Sequence, residues 1–575
     1  MNSNLDAYIS DGTPERVRER YRRLSDLAKE SDFGDLDENI VVIDTETTGF
    51  SFNHDELTQI AAARMEHGEV VDWYVTFVNP GKAIPDDVAH LTNIHDEDVA
   101  DAPSPDEALA GLVEFAGDAK IVAHNAEFDR TFTTRHPSGY PLLDNIWIDS
   151  LDLARIALPR MRSHRLIDLV KAFGAPTSTH RADDDVAATC ALFRILLAAV
   201  HEMPPALVKC IALLAPAEQW NTAVVFQHFA QSEAKPFSLK ELRHESMTSY
   251  ERRPRIDAKM IQAMEYPTAE DIAQAFSPTG IVGKLYDDFE PRKEQLTMAQ
   301  EVRAAFEASE NLVVEAGTGV GKSMAYLVPA VLMAKANNIA IGVATKTNAL
   351  LDQLVYHELP ALAQSLGDIT YAPLKGFSHY PCLRKVNRFV KEGVKMVDVQ
   401  GTKYSQAPSL GALLSFIDQT DYDDMDSLKM DYRVVPRRAV TTTSHDCLRR
   451  KCPFYGTTCF VHGARRFAET ADVVVTNHTL LFCDAAADNG LLPPVRHWIL
   501  DEAHGAEAEA RRAFSLEISA EDVIRLAQKV ASGESRNVYD RAEKKLSSSL
   551  KNDGATLFEG LVGKAKSAGD MFAAA

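Results

Sequence analysis

Three observations predict an α/β protein with two successive sheet-bearing domains. Short apolar runs alternate with helical stretches from about residue 38 to 200, and a second alternation begins near 286. The segment between them is mixed in character and Pro-containing. At 575 residues, 45% hydrophobic and 25% charged, the chain has material for roughly three to four domains.

Residues 1–37, with PERVRERYRRLSDLAKE, read as a polar helical tail. In 38–200 the runs IVVID and KIVAH are strand-like, and DDDVAATCALFRILLAAV is helical. Residues 201–285 read as a helical connector without assignable chemistry. In 286–505, NLVVEAGTG, IAIGVAT, DVVVTNH and HWILDEAH are strand-like, and continuous apolar strands point to a parallel sheet covered on both faces. A cysteine-bearing insertion occupies about 372–470 of that domain, and 506–575 is helical and charged.

No secretory leader is evident, and no apolar run approaches the roughly 20 residues of a membrane span. A cytoplasmic protein with no membrane partner is therefore expected. Seven cysteines, an odd number, do not form a disulfide scaffold. A net charge of −22 argues against coating nucleic acid by bulk attraction. Local grooves stay open, because Arg384, Lys385, Arg388, Lys391 and Lys395, and then Arg449, Arg450, Lys451, Arg465 and Arg466, lie near the cysteines.

VVIDTETTGF places Asp44 and Glu46 at a strand end, two residues apart and so on one face. Like charges side by side are costly, and a divalent cation relieves them. KIVAHNAEFD runs from strand to helix, with Asn125 placed to cap it and Asp129 in the first turn. HRADDDVAA sets His180 five residues before Asp185, with Asp183 and Asp184 as helix-start acids. Four carboxylates and a histidine suit two-metal phosphodiester hydrolysis. DTETTGF, HNAEFD and HRADDD resemble the three motifs of DEDDh exonucleases, the family of the epsilon proofreading subunit of DNA polymerase III. The resemblance covers about 38–200 and implies an RNase H-like domain removing nucleotides 3′→5′. It implies Asp44, Glu46, Asp129 and Asp185 as ligands of two Mg²⁺ or Mn²⁺ ions, and His180 as general base.

VVEAGTGVGKS leads from an apolar run into a helix, the context of a phosphate loop. Backbone from Ala316 through Gly317, Thr318, Gly319, Val320 and Gly321 would cradle the phosphates of ATP. Lys322 would reach the β/γ-phosphates and Ser323 a Mg²⁺ ion. HWILDEAH adds Asp501 for that Mg²⁺ and Glu502 to prepare the attacking water, and DEAH resembles superfamily 2 helicases. EPRKEQLTMAQ resembles their adenine-reading region, matching Arg292 and Gln295, with Lys293 where a proline is usual. VATKTNALLDQL, with Lys346, is similar to their motif Ia, which touches DNA backbone.

Cys382, Cys447, Cys452 and Cys459 lie between these motifs. Four residues separate Cys447 from Cys452 and six separate Cys452 from Cys459, so the first pair fits structural zinc only at the edge of its spacing and the second does not. Four thiolates can also hold a [4Fe–4S] cluster, which needs no fixed repeat. The residues alone leave the cluster, zinc and no metal open. Four cysteines followed by ARRFAETADVVVTNHTLLF and DEAH resemble the DinG helicases, XPD relatives that carry a [4Fe–4S] cluster and unwind DNA 5′→3′. That resemblance spans about 286–510 and implies a RecA-like first lobe, a cluster on the four thiols, and the start of a helical arch after 505. Arg449, Arg450 and Lys451 become candidates to guide a single strand, while Cys190, Cys210 and Cys483 fall outside the pattern as ordinary buried thiols.

No later motor motif follows DEAH, so this chain is expected to bind ATP, hydrolyse it slowly and not unwind duplex. The expected function is that of a nuclease–helicase of DNA repair or replication acting on single strands or 3′ ends, working at the nucleoid. The alternatives are a single-strand-binding module with ATP and cluster but little motor activity, and an exonuclease directed at RNA.

Overall fold

The computed structural model describes residues 5–176, 181–246, 254–286, 288–367, 369–444, 446–456, 458–487, 491–515 and 564. Two compact units divide the chain: Met1–Leu480 with Leu492–Asp501, and Leu481–Leu491 with Glu502–Ala575. Most of 506–575, the expected helical arch, lies outside the described residues; Ala506–Ala513 is helical.

The first sheet has β1 Ile40–Thr47, β2 Leu57–Glu66, β3 Glu69–Phe77, β4 Lys120–Ala123 and β5 Trp147–Asp149, in the order β3-β2-β1-β4-β5. β1 runs antiparallel to β2, from Ile40 opposite Met65 to Thr47 opposite Leu57, and parallel to β4. One face packs Val41, Ile43, Ile60 and Ala62 against Leu109 and Leu112 of the Pro105–Ala116 helix. That helix starts in a reciprocal capping box of Ser104 and Glu107. The Ala182–His201 helix covers β1 and β2 from the other side. β2, flanked by β3 and β1 and wrapped on both faces, is buried for its first seven residues.

The N-terminal segment departs from a polar tail. In the Glu15–Glu30 helix Val17, Tyr21, Leu24 and Ala28 are buried, and the helix packs along Ala182–His201. The Tyr21 hydroxyl donates to Gln419 Oε1 at 2.6 Å.

The second sheet contains β6 Ile341–Thr345 and β7 Tyr371–Pro373; a separate hairpin of β8 Met396–Val399 and β9 Thr402–Ser405 precedes β10 Val473–Asn477 and β11 His497–Leu500. Its order is β11-β6-β10-β7, with every pairing parallel. Gly342 lies under Trp498, where an added Cβ would come within 2.3 Å of the indole. The run NLVVEAGTG, expected as a strand, forms no ladder here, and Val313 is 94% exposed. Three consecutive apolar residues specify extended backbone but no partner, so periodicity alone overstated this element.

Within the insertion, the Ala407–Asp418 helix is almost wholly buried. It packs on Ser150–Ala157 of the first domain and Pro205–Ala212 of the connector. Ile156 sits so close to Gly411 that an added Cβ would meet its Cδ1 at 3.2 Å. The loop that follows receives Arg160, whose guanidinium is 2.6 Å from Asp423. Among the described residues no single helix is long and apolar enough to cross a membrane.

Candidate functional site

The end of β1 delivers Asp44 and Glu46, and the first turn of Ala182–His201 delivers Asp185. Their ligand atoms lie within 4.8 Å of one another, the one such set of His, Cys or acidic side chains among the described residues. The Ala182 amide donates to Gln59 Oε1 at 3.3 Å, fixing the helix start against β2. Asp129, 2% exposed, accepts from the Thr45 hydroxyl at 2.9 Å. Burial and the neighbouring carboxylates Asp129, Glu46 and Asp185 hold the Asp44 carboxyl well above the usual range. Burial, with Asp185 and Asp129, pushes Glu46 up to about 8, and burial raises Asp129 to about 7. A packed set of carboxylate oxygens that resists ionisation is matched chemically by hard divalent cations such as Mg²⁺ or Mn²⁺.

His180 lies outside the described residues. Asn125 takes the N-cap position with φ of +76°, but its side chain makes no capping bond; its amide donates to Asp149 Oδ1 at 3.1 Å. Thr45, Gln59 and Asp149 are supporting residues that sequence reasoning missed; Thr45, between Asp44 and Glu46, could have been found as the opposite-face residue of that strand.

His124 directly follows β4, with Nδ1 2.9 Å from the Ser150 hydroxyl and Nε2 2.9 Å from the His164 carbonyl. His164 Nε2 in turn contacts the Leu158 carbonyl at 3.0 Å. Burial depresses both imidazoles to about 4. With an unfolded value near 6.5, each neutral imidazole stabilises the fold fully above pH ~6.5, and that stabilisation is lost as pH falls toward ~4. A His124→Gln variant should therefore lose less stability than wild type between pH 6.5 and 4, measured by thermal melting across that window.

At the phosphate loop Gly319 and Gly321 have φ of +80° and +83°, and the Lys322–Asn337 helix starts directly after them. Gln295 Nε2 donates to the Gly321 carbonyl at 2.9 Å, and the Arg292 guanidinium bonds the Gly319 carbonyl. The two residues matched to an adenine-reading motif thus hold the loop's backbone. Ala316, Gly317, Thr318 and Val320 complete the turn, with open space around Gly317 and Gly319. Tyr326 bonds Asp501 Oδ2 at 3.2 Å, and the Asp501 amide bonds Ala344 of β6 at 2.8 Å. Tyr326 also bonds Ser323, bringing both Mg²⁺ candidates to one phenol. Glu502 belongs to the second unit, with φ of +53° and His504 at 3.3 Å. A Gly321→Ala variant would place Cβ 2.2 Å from Gln295 Nε2 in a left-handed conformation. At least ~10-fold weaker binding of a fluorescent ATP analogue is expected, a change of about 1.4 kcal/mol.

Cys382, Cys447, Cys452 and Cys459 line one small cavity with Phe377, Tyr455 and His462. Burial raises the Cys459 thiol to about 11, with Cys382 and Cys447 contributing. The Arg449 amide donates to Cys447 Sγ at 3.5 Å, and His462 Nε2 is 3.7 Å from the same sulfur. Amides of Phe454 and of Val461 and His462 bond Cys452 and Cys459. Tetrahedral zinc, about 2.3 Å from each sulfur, needs sulfurs about 3.8 Å apart. No three of these thiols, with or without His462, close to 4.8 Å. The wider arrangement and its N–H donors fit a larger sulfur-ligated group. Arg449, Arg450, Lys451 and Lys346 are exposed. Cys190 and Cys210 are buried as expected, whereas Cys483, expected buried, is only partly so.

The RNase_T exonuclease family matches residues 41–193. The chain is 29% identical over 492 residues to the 3′-5′ exonuclease DinG of Bacillus subtilis, covering 82% of this chain and 50% of that protein. It is 38% identical over 226 residues to the ATP-dependent helicase DinG of Mycobacterium tuberculosis, covering 37% of this chain and 34% of that protein. Among solved structures, Exonuclease X in complex with 5′ overhanging duplex DNA is 26% identical, covers 28% of this chain and 90% of that one, and has a TM-score of 0.23. The chain spans about half the length of the first relative and about a third of the second.

Proposed function

We propose that this chain, similar to DinG proteins and matching an exonuclease family over residues 41–193, trims nucleic acid 3′→5′ by two-metal hydrolysis. The observation that carries the proposal is the convergence of Asp44, Glu46 and Asp185 within 4.8 Å, with Asp129 buried beside them. Two Mg²⁺ or Mn²⁺ ions, when bound, supply an activated water and stabilise the leaving oxygen. Asp44, Glu46 and Asp185 would hold them, and Asp129, oriented by Thr45, would join from the helix. His180 takes the proton from the attacking water. Exposed Phe50 and Phe52, clustered with Phe128, offer faces for terminal bases.

The second sheet is proposed to bind ATP and Mg²⁺ through Lys322, Ser323 and Asp501, with Glu502 preparing the water, as part of a 5′→3′ DNA motor. The four thiols are proposed to hold a [4Fe–4S] cluster, and Lys346, Arg449, Arg450 and Lys451 to contact a single strand. The domain limits 38–200, 201–285 and 286–505 belong to the same proposal. DNA is the proposed substrate, which would place the protein at the nucleoid.

The test is Mn²⁺-dependent release of mononucleotides from the 3′ end of labelled single-stranded DNA and a matched RNA. Wild type should degrade DNA and Asp44→Asn should not. Equal activity of the two proteins would remove the nuclease assignment, and preference for RNA would reassign the substrate.

A further inference from the structure

A buried side chain of the connector touches the chain on both sides of Cys459. Arg243, on the Leu239–Ser246 helix, is 0% exposed. Its Nη1 donates to the Thr420 carbonyl at 2.5 Å and its Nε to the Thr458 carbonyl at 3.4 Å. The guanidinium lies 4.1 Å over the Phe460 ring and 5.3 Å from that of Tyr422. Thr458 and Phe460 are the residues on either side of Cys459, so one buried cation grips the chain before and after a single thiol. The helix that begins at Phe460 is drawn against Tyr422 so closely that a Cβ on Gly463 would come within 2.0 Å of its ring. The same helix start aims the Val461 and His462 amides at the Cys459 sulfur.

We propose that Arg243 is a positioning residue for the thiol site, setting both the placement of Cys459 and the charge environment of the cluster bound there. The proposal rests on reading the four thiols as [4Fe–4S] ligands. Planar geometry explains the residue type: one guanidinium can bond two carbonyls while stacking on a ring, and an ammonium cannot. Asp421, Asp423 and Arg16 lie within electrostatic reach of it. A cluster on four thiolates carries net negative charge, and a fixed cation in a dry site stabilises the more negative, reduced form. Arg243 therefore raises the cluster's reduction potential and slows loss of iron from the Cys459 corner.

The experiment compares the full chain, purified without oxygen, as wild type, Arg243→Met, Arg243→Lys and, as a control, Arg194→Met, a part-buried arginine paired with Asp37 in the first domain. Iron and sulfide content and visible absorption are measured first, then the reduction potential by mediated titration read by electron paramagnetic resonance. Arg243→Met is expected to lower the potential and to lose its visible absorption several-fold faster under a chelator. Arg243→Lys should restore the potential in part, and Arg194→Met should leave it at the wild-type value. A Met variant with wild-type potential and bleaching rate overturns the proposal, as does a control shifted equally. A wild type that contains no iron defeats the cluster reading instead. Placement of Cys459 is then decided in the metal-free chain by alkylation: faster modification of Cys459 in Arg243→Met supports it, and an unchanged rate overturns it.

Discussion

Asp44→Asn is expected to make the metal-free chain more resistant to heat while abolishing the proposed exonuclease activity. Asp44 is enclosed at the end of β1 with Glu46, Asp129 and Asp185 around it, and both burial and those neighbours oppose its ionisation. A carboxyl whose folded pKa is raised binds more protons folded than unfolded, so stability is lost as pH climbs from about 4 through the folded value. Glu46 at about 8 and Asp129 at about 7 set that window for the cluster. An amide of the same shape removes one of the crowded charges. The gain should therefore be small near pH 5 and largest near pH 8, on the order of 1–3 kcal/mol, or a few degrees in melting temperature. Added Mn²⁺ should reverse the ranking by stabilising wild type and not the variant. Losing a ligand to the activating metals should cost several kcal/mol in the chemical step, on the order of 10³-fold in rate. Melting curves in EDTA at pH 5 and 8, with and without Mn²⁺, provide the check. A variant less stable than wild type at pH 8 in EDTA would mean that the cluster is not strained by its own charge.

The pairing of Asp44 with Glu46 was legible because a strand's period of two is local. The approach of Asp185 was not, because it depends on how a distant helix crosses β1 and β2; the residue pattern offered the carboxylate, and the motif resemblance gave it a ligand's role. The N-terminal helix was legible and was misread. Its arginines and acids mask Val17, Tyr21, Leu24 and Ala28, whose spacing marks one helical face. Buried arginines are a different case. In a sequence, Arg160 and Arg243 are indistinguishable from surface charge; their burial is set by carbonyls and aromatic rings hundreds of positions away in the case of Arg243 and Thr458. The Ala407–Asp418 helix emerges as a core element shared with the first domain, a role that no local pattern encodes.

That shared core makes Arg160 the side chain whose loss should loosen the junction most. Its side chain is 1% exposed. Nε donates to the Thr13 hydroxyl at 3.0 Å, and Nη2 to the Asp11 carbonyl at 3.0 Å and to Asp423 at 2.6 Å. The guanidinium also lies 5.4 Å from the Phe416 ring. One residue of the first domain thereby ties the N-terminal segment, the buried helix and the loop after it. Burial already raises the Asp423 carboxyl, and Arg160 opposes that rise. Arg160→Ala should cost about 3–5 kcal/mol, mostly because it strands Asp423 and leaves a gap beside Phe416. A multidomain chain need not unfold in one step, so the readout should be local: hydrogen exchange and limited proteolysis at 420–427. Adding Asp423→Asn should recover part of the loss, because the stranded charge is then gone, and the double-mutant cycle measures the pair directly. Recovery separates the buried ion pair from packing against Phe416, which the second substitution leaves unrepaired. Equal exchange in the single and double variants would assign the junction's stability to packing alone.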